Sequence, residues 1–166
     1  MKNIVLIGFM GSGKTTVGKV LAVELGYHFV DTDDLIETNE GVDIPTIFKT
    51  QGETYFRQSE TAALKRVMDW EKYVVSTGGG IVTIPSNQKI LNQGIVVYLE
   101  ASPQQIYDNV KHNTSRPLLK GENVYAKICR MLKDREMLYK EAAHYTIQVD
   151  GKTPQEICTL LLGGIA

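Results

Sequence analysis

The stretch Ile4-Val5-Leu6-Ile7-Gly8-Phe9-Met10-Gly11-Ser12-Gly13-Lys14-Thr15-Thr16 constrains the chain more than any other. An aliphatic run suited to a buried strand enters a glycine-rich turn, and the turn opens directly into helix-forming sequence. The spacing matches G-x-x-x-x-G-K-[ST], the Walker A pattern. Glycines at Gly8, Gly11 and Gly13 leave main-chain N–H groups unshielded by any Cβ, so the loop becomes an anion cradle. The helix behind it brings the positive end of its macrodipole to the same spot. Lys14 is therefore expected to reach the β- and γ-phosphates of a nucleotide, and the Thr15 hydroxyl to ligate Mg²⁺. A plain strand-to-helix turn is the competing reading, and the flanking strand and helix count against it.

Composition narrows the rest. A chain of 166 residues, 43% hydrophobic and 22% charged, suits one globular domain with a real core and excludes disorder and fibres. A formal net charge of −1, with no lysine or arginine block, offers nothing to hold a polynucleotide, so no nucleic-acid partner is expected. The first strand follows Met1 within three residues, and no leader or membrane-length apolar run is visible, which points to a cytoplasmic protein without membrane contact. Cys129 and Cys158 are too isolated for a disulfide framework or a zinc site and read as small hydrophobes. His28, His112 and His144 lack ligand spacing.

Five strand-like runs alternate with helical ones: 4–7, 28–31, 73–77, 95–99 and 145–149. That alternation predicts an α/β fold, a five-stranded parallel sheet with helices on both faces. Lys14 to Leu25 and Glu122 to Ala143 are the clearest helices, and the segment from Glu40 to Met68 reads as helical pieces interrupted at Gly41, Pro45 and Gly52. Thr32-Asp33-Asp34-Leu35-Ile36 reads as a helix start with capping-type residues, and in an extended segment Asp31 and Asp33 would leave the strand end on the same side, at the carboxyl edge of a parallel sheet beside the phosphate loop. Acidic capping of a helix explains the same pair about as well. Gly78-Gly79-Gly80 follow the third strand and suggest close approach of backbone to a ligand. The polar run from His112 to Gly121 is expected to form a flap carrying Arg116. Arg57, taken alone, reads as a solvated helix charge, whereas Arg135 interrupts the apolar stripe of Val124, Ile128, Leu132 and Tyr139 and so needs an anionic partner.

A phosphate loop serves switches, motors and kinases alike. No N-K-x-D-like guanine reader is present and the chain is short for a motor, so a small-molecule kinase is the economical reading. Lys14, Mg²⁺ and Arg116 would neutralise the transferred phosphoryl group, and Asp33 would orient or deprotonate the acceptor hydroxyl. Arg57 and Arg135 would hold a carboxylate or another anion by two-pronged hydrogen bonds. The acceptor is then a small, hydroxylated, anionic metabolite.

Six segments together bring a family into view: Gly8 to Thr15, Asp31-Thr32-Asp33, Phe56-Arg57, Thr77-Gly78-Gly79-Gly80, Arg116-Pro117-Leu118-Leu119, and Arg135 before Leu138-Tyr139. In this order, over essentially the whole length, the chain resembles the shikimate kinases. The resemblance implies a P-loop kinase fold in one domain over 1–166, with a substrate-binding segment at 33–61 and a lid at 112–124. It implies transfer of the γ-phosphoryl of ATP to the 3-hydroxyl of shikimate, on the route to aromatic amino acids. By the same resemblance Asp33, Arg57, Gly79, Gly80 and Arg135 bind shikimate, and the two arginines take its carboxylate. Gly11, Ser12, Gly13, Lys14, Thr15, Thr16 and Arg116 bind ATP, Lys152 falls near a nucleobase-side position, Thr15 ligates Mg²⁺, and Asp31 acts on the metal through water. Where many members carry an arginine that stacks on adenine, this chain reads Asp108-Asn109-Val110-Lys111. A monomer is expected. A gluconate or nucleoside monophosphate kinase, and a nucleotide-binding module without turnover, are the alternatives.

Overall fold

The aliphatic run forms β1 (Ile4–Ile7), and all four of its residues are buried at the centre of the sheet. The computed structural model describes residues 2–111 and 123–165. Beside β1 lie β2 (His28–Asp31), β3 (Tyr73–Ser76), β4 (Ile95–Glu100) and β5 (Tyr145–Gln148). The order is β2-β3-β1-β4-β5, and every pairing is parallel. The inner strands are almost wholly buried and read as unbroken apolar runs, as a sheet covered on both faces requires. Of the edge strands, β2 is exposed at His28 and half-buried beyond it, and β5 is exposed at three of its four positions.

Helix positions follow from the same sequence logic. α1 (Lys14–Leu25) begins immediately after Gly13, whose φ of 91° only glycine adopts readily, and Gly26 closes it in a left-handed turn. Within α1, Gly18 meets Phe29 of β2 so closely that a Cβ would stand 2.6 Å from the ring. The missing side chain thus makes room for the Phe29 ring against the helix. Between β2 and β3 the chain makes α2 (Thr32–Glu40), α3 (Ile44–Gln51) and α4 (Glu53–Met68). Pro45 does not interrupt a helix as expected; it sits in the first turn of α3, where its missing N–H is harmless. Ile36, Ile47, Phe56 and Ala63 give these helices a small core of their own.

A short 3₁₀ turn (Ile81–Thr83) and α5 (Asn87–Leu91) lead to β4, followed by α6 (Pro103–Val110), α7 (Val124–Ala142), β5 and α8 (Pro154–Ile165). Ser102 caps α6 by accepting from the Gln105 N–H at 3.2 Å, as the Ser-Pro start predicts. Asn123 caps α7. Of the lid expected at 112–124, only Asn123 and Val124 are among the described residues, and Arg116 lies outside them. Cys158 is buried and Cys129 half-buried, both with free thiols. The ring of His144 accepts a hydrogen bond from the Val96 N–H at 2.9 Å and so serves the sheet. No helix of the described residues is long and apolar enough to cross a membrane.

Asn3 ties β1 to the end of α4 and the start of β3. Its amide donates to the Val67 and Trp70 carbonyls at 3.1 and 2.9 Å and accepts from the Tyr73 N–H at 3.0 Å. Asn3→Ala leaves these groups unpaired and is expected to cost about 1–3 kcal/mol in urea denaturation; an unchanged midpoint would show that water replaces the amide without loss.

Candidate active site

Two clefts open at the carboxyl edge of the sheet, side by side. The first, of about 570 Å³, lies over the glycine-rich loop and is lined by Gly11, Gly13, Lys14, Thr15 and Thr16, with Asp31, Asp33 and residues 76–79 opposite. The second, of about 460 Å³, is lined by Arg57, Glu60 and Arg135 together with Ile44, Phe48 and Phe56. Met10, Asp33, Gly78 and Gly79 belong to both. That shared wall is where a group can pass from one cleft to the other.

The phosphate loop is held by its own contacts. Lys14 is buried, and its ammonium donates to the Gly8 and Phe9 carbonyls at 2.6 and 2.9 Å. The Ser12 N–H donates to the Phe9 carbonyl at 3.1 Å, and the Ser12 side chain is buried inside the loop, so the hydroxyl does not line the cleft. Asn109 at the end of α6 donates to the Gly11 carbonyl at 2.6 Å, while its own amide oxygen accepts from Gln105 at 3.1 Å. The residue that departs from the family's arginine pattern is thus fastened to the loop itself.

Across the cleft, Thr15 Oγ1 donates to Asp31 Oδ2 at 3.0 Å. The other Asp31 oxygen accepts from the main-chain N–H groups of Asp33 and Asp34 at 2.8 and 3.3 Å, capping α2. The helix start expected at Thr32 is borne out, and the extended geometry that would set Asp31 and Asp33 on one side does not occur. The chain turns into a helix at Thr32, and Asp33 reaches the shared wall from the first helical turn. Capping and site placement, posed above as rivals, are both true of this pair. Lys152 lies in the turn between β5 and α8 and is not among the residues that line either cleft.

Arg57 and Arg135 arrive from different helices, α4 and α7, and line the same pocket. The expectation of a solvated Arg57 fails, because the side chain is 8% exposed. Its Nη1 donates to Glu60 Oε1 at 2.9 Å, and Glu60 is 0% exposed. Glu60 escaped the sequence reading, although it stands three residues after Arg57 on one helical face, which is the spacing of an ion pair. Arg135 Nη1 and Glu60 Oε2 are buried without a hydrogen-bond partner. Two guanidinium groups, Arg57 and Arg135, thus share a largely apolar pocket with two carboxylates, Glu60 and Asp33, and Arg57 also stands 3.5 Å from Glu53.

The three glycines are explained by space. An ideal Cβ on Gly78 would stand 2.7 Å from Glu60 Oε2, and one on Gly80 only 2.3 Å from Arg57 Nη1. At Gly79 it would lie 3.1 Å from the Met10 N and 3.6 Å from Arg135 Nη1. The close approach expected here is thus to the charged side chains of the pocket, which need the volume that three side chains would fill.

A family model described as "Shikimate kinase" matches residues 10–165. A shikimate kinase of Caldanaerobacter subterraneus subsp. tengcongensis is 44% identical, over 95% of this chain and 92% of the relative. One of Thermodesulfovibrio yellowstonii is 43% identical, over 98% of this chain and 94% of the relative. The solved structure of shikimate kinase from Acinetobacter baumannii in complex with shikimate is 40% identical, superposes with a TM-score of 0.97, and covers 99% of this chain and 93% of that one.

Burial pushes the Glu60 carboxyl above its ordinary 4.5, with the charges of Arg57 and Arg135 opposing the rise. The folded chain therefore binds this proton more tightly than the unfolded chain. Stability from the group is complete below pH 4.5 and lost as pH climbs through the raised folded value. The stability of the parent minus that of Glu60→Gln is expected to fall as pH rises from that ordinary value toward neutrality, in urea titrations at stepped pH. A difference that grows over the same range would mean that the arginines outweigh burial.

Proposed function

The chain belongs to the shikimate kinase family, and from that membership we infer that it transfers the γ-phosphoryl group of ATP to the 3-hydroxyl of shikimate, on the route to aromatic amino acids. The observation that carries this reading is the convergence of Arg57 and Arg135 on one pocket that shares Asp33 and Gly79 with the phosphate cleft. A carboxylate held by two guanidinium groups fixes one end of a small ring. Its hydroxyls are then directed to the shared wall, within reach of Asp33.

In the proposed mechanism, main-chain N–H groups of the glycine-rich loop and the N-terminus of α1 cradle the phosphates, aided by Thr16 at the mouth of the cleft. Lys14 leaves the loop carbonyls it now contacts and neutralises the β- and γ-phosphates. Asp33 orients the acceptor hydroxyl and takes its proton, and Arg116 adds positive charge to the transferred group. The main chain at Gly79 and Gly80 lines the acceptor side. Lys152 is assigned to the nucleobase side by family resemblance alone.

Mg²⁺ fits the corner between α1 and β2, where Thr15 and Asp31 offer hard oxygen donors 3.0 Å apart. Thr15 would ligate the ion and Asp31 would hold it through water, with phosphate oxygens completing the shell. Among the described residues no cluster of three or more His, Cys, Asp or Glu could hold a metal ion by itself. When bound, it supplies charge neutralisation on the phosphates. We assign the substrate-binding role to 33–61 and the lid role to 112–124, and take a monomer as the working unit.

An assay of ADP release against shikimate, gluconate and AMP tests the assignment, with shikimate expected to give the highest kcat/KM. Preference for gluconate or AMP would overturn it, and nucleotide binding without turnover would support the non-catalytic alternative. Asp33→Asn is expected to lower kcat at least about a hundredfold, the lower range for general base catalysis. Turnover close to that of the parent would remove Asp33 from the proton transfer.

A further inference from the structure

Gly79 is one of the few residues common to both clefts, and it is gripped from two sides. On one side stands the phosphate loop: a Cβ on Gly79 would lie 3.1 Å from the Met10 N and 3.6 Å from the Gly8 carbonyl oxygen. On the other stands α7, with Arg135 Nη1 3.6 Å from the same point and the Tyr139 hydroxyl donating to the Gly79 carbonyl. Tyr139 and Arg135 are four residues apart on α7, hence on one helical face.

We propose that Tyr139 is a positioning residue that locks the Gly79 carbonyl to α7, so that the acceptor pocket and the phosphate cleft keep one register. The proposal rests on the reaction assigned above. Tyr139 is 0% exposed, and its ring stacks on the buried Tyr98 of β4 with centroids 5.0 Å apart and planes at 23°. The ring is thereby held in one orientation and its hydroxyl has one place to point. A phenylalanine would keep the stack and the burial equally well. A buried hydroxyl is unfavourable unless it is bonded, and this one bonds to main chain at the shared wall.

The phenol is a durable donor. Burial pushes it up to about 12, with the neighbouring Arg135 guanidinium opposing, so the proton stays on oxygen through the range where a kinase works. The groups facing it are Arg135 of its own helix, Arg57 and Glu60 of α4, and Tyr98 beneath it. Without the hydroxyl, the Gly79 carbonyl inside the wall is left unpaired, and the peptide between Gly79 and Gly80 is free to turn. The acceptor then shifts relative to the phosphoryl group while the nucleotide cradle stays intact.

Tyr139→Phe is the test, with Tyr98→Phe beside it. Tyr139→Phe is expected to lower kcat/KM for shikimate by about tenfold to a hundredfold, the range for a misplacement of about an ångström, while KM for ATP stays within about twofold. Tyr98→Phe, which keeps both the stack and the Tyr139 hydrogen bond, is expected to retain parental kinetics. Parental kcat/KM in Tyr139→Phe would overturn the proposal. So would equal losses toward both substrates in proportion to a fallen folded fraction, or the same kinetic defect in Tyr98→Phe. If the parent phosphorylates gluconate better than shikimate, the reaction assigned above fails, and the two variants are compared on gluconate by the same criteria.

Discussion

The architecture of the site depends on a stretch of main chain that carries no side chains. Where β3 ends, Gly78-Gly79-Gly80 run past the glycine-rich loop leaving β1, because β1 and β3 are hydrogen-bonded neighbours that finish at the same edge of the sheet. Each missing Cβ is volume used by something else: Glu60 at Gly78, the Met10 main chain at Gly79, and Arg57 at Gly80. A methyl group at any of the three displaces a charged group or a phosphate-loop amide. At Gly79 the neighbour is main chain, which cannot swing aside as the end of a side chain can.

Given that space, electrostatics shape the second cleft. A buried guanidinium without an anion is costly, so Arg57 is paired with Glu60 and both leave water together. Glu60 has a second oxygen and Arg135 a second nitrogen that are buried without hydrogen bonds. The pocket is therefore incomplete as a set of hydrogen bonds, with a guanidinium nitrogen that lacks an acceptor. An acidic ligand supplies what is missing, and the apolar floor of Phe48 and Phe56 excludes much of the water that would compete for it.

The two clefts are held in register by few contacts. Tyr139 fastens the shared glycine to α7, Asn109 fastens the phosphate loop to α6, and Asp31 joins α1 to α2 through Thr15. Each contact links elements distant in sequence at the carboxyl edge, where the strands stop supporting one another and side chains take over. Phosphoryl transfer depends on placing an acceptor in line with a phosphorus atom, so these contacts bear on rate more than on affinity.

Much of this was legible in the sequence wherever the signal is local. The glycine-rich loop, five strands, most helix limits and the family resemblance follow from period, capping residues and motif order, because backbone sterics and hydrogen bonding act within a few residues. Arg57 taken alone read as solvated, Glu60 went unnoticed, and Tyr139 read only as part of an apolar stripe and a motif, not as a donor to Gly79. Those errors share one cause. Whether an arginine is solvated or buried, and what a glycine makes room for, depends on groups brought together from far along the chain. The sequence by itself determined which chemistry was on offer; only the parallel sheet, by ending β1 and β3 side by side, decided which of those groups meet across the shared wall.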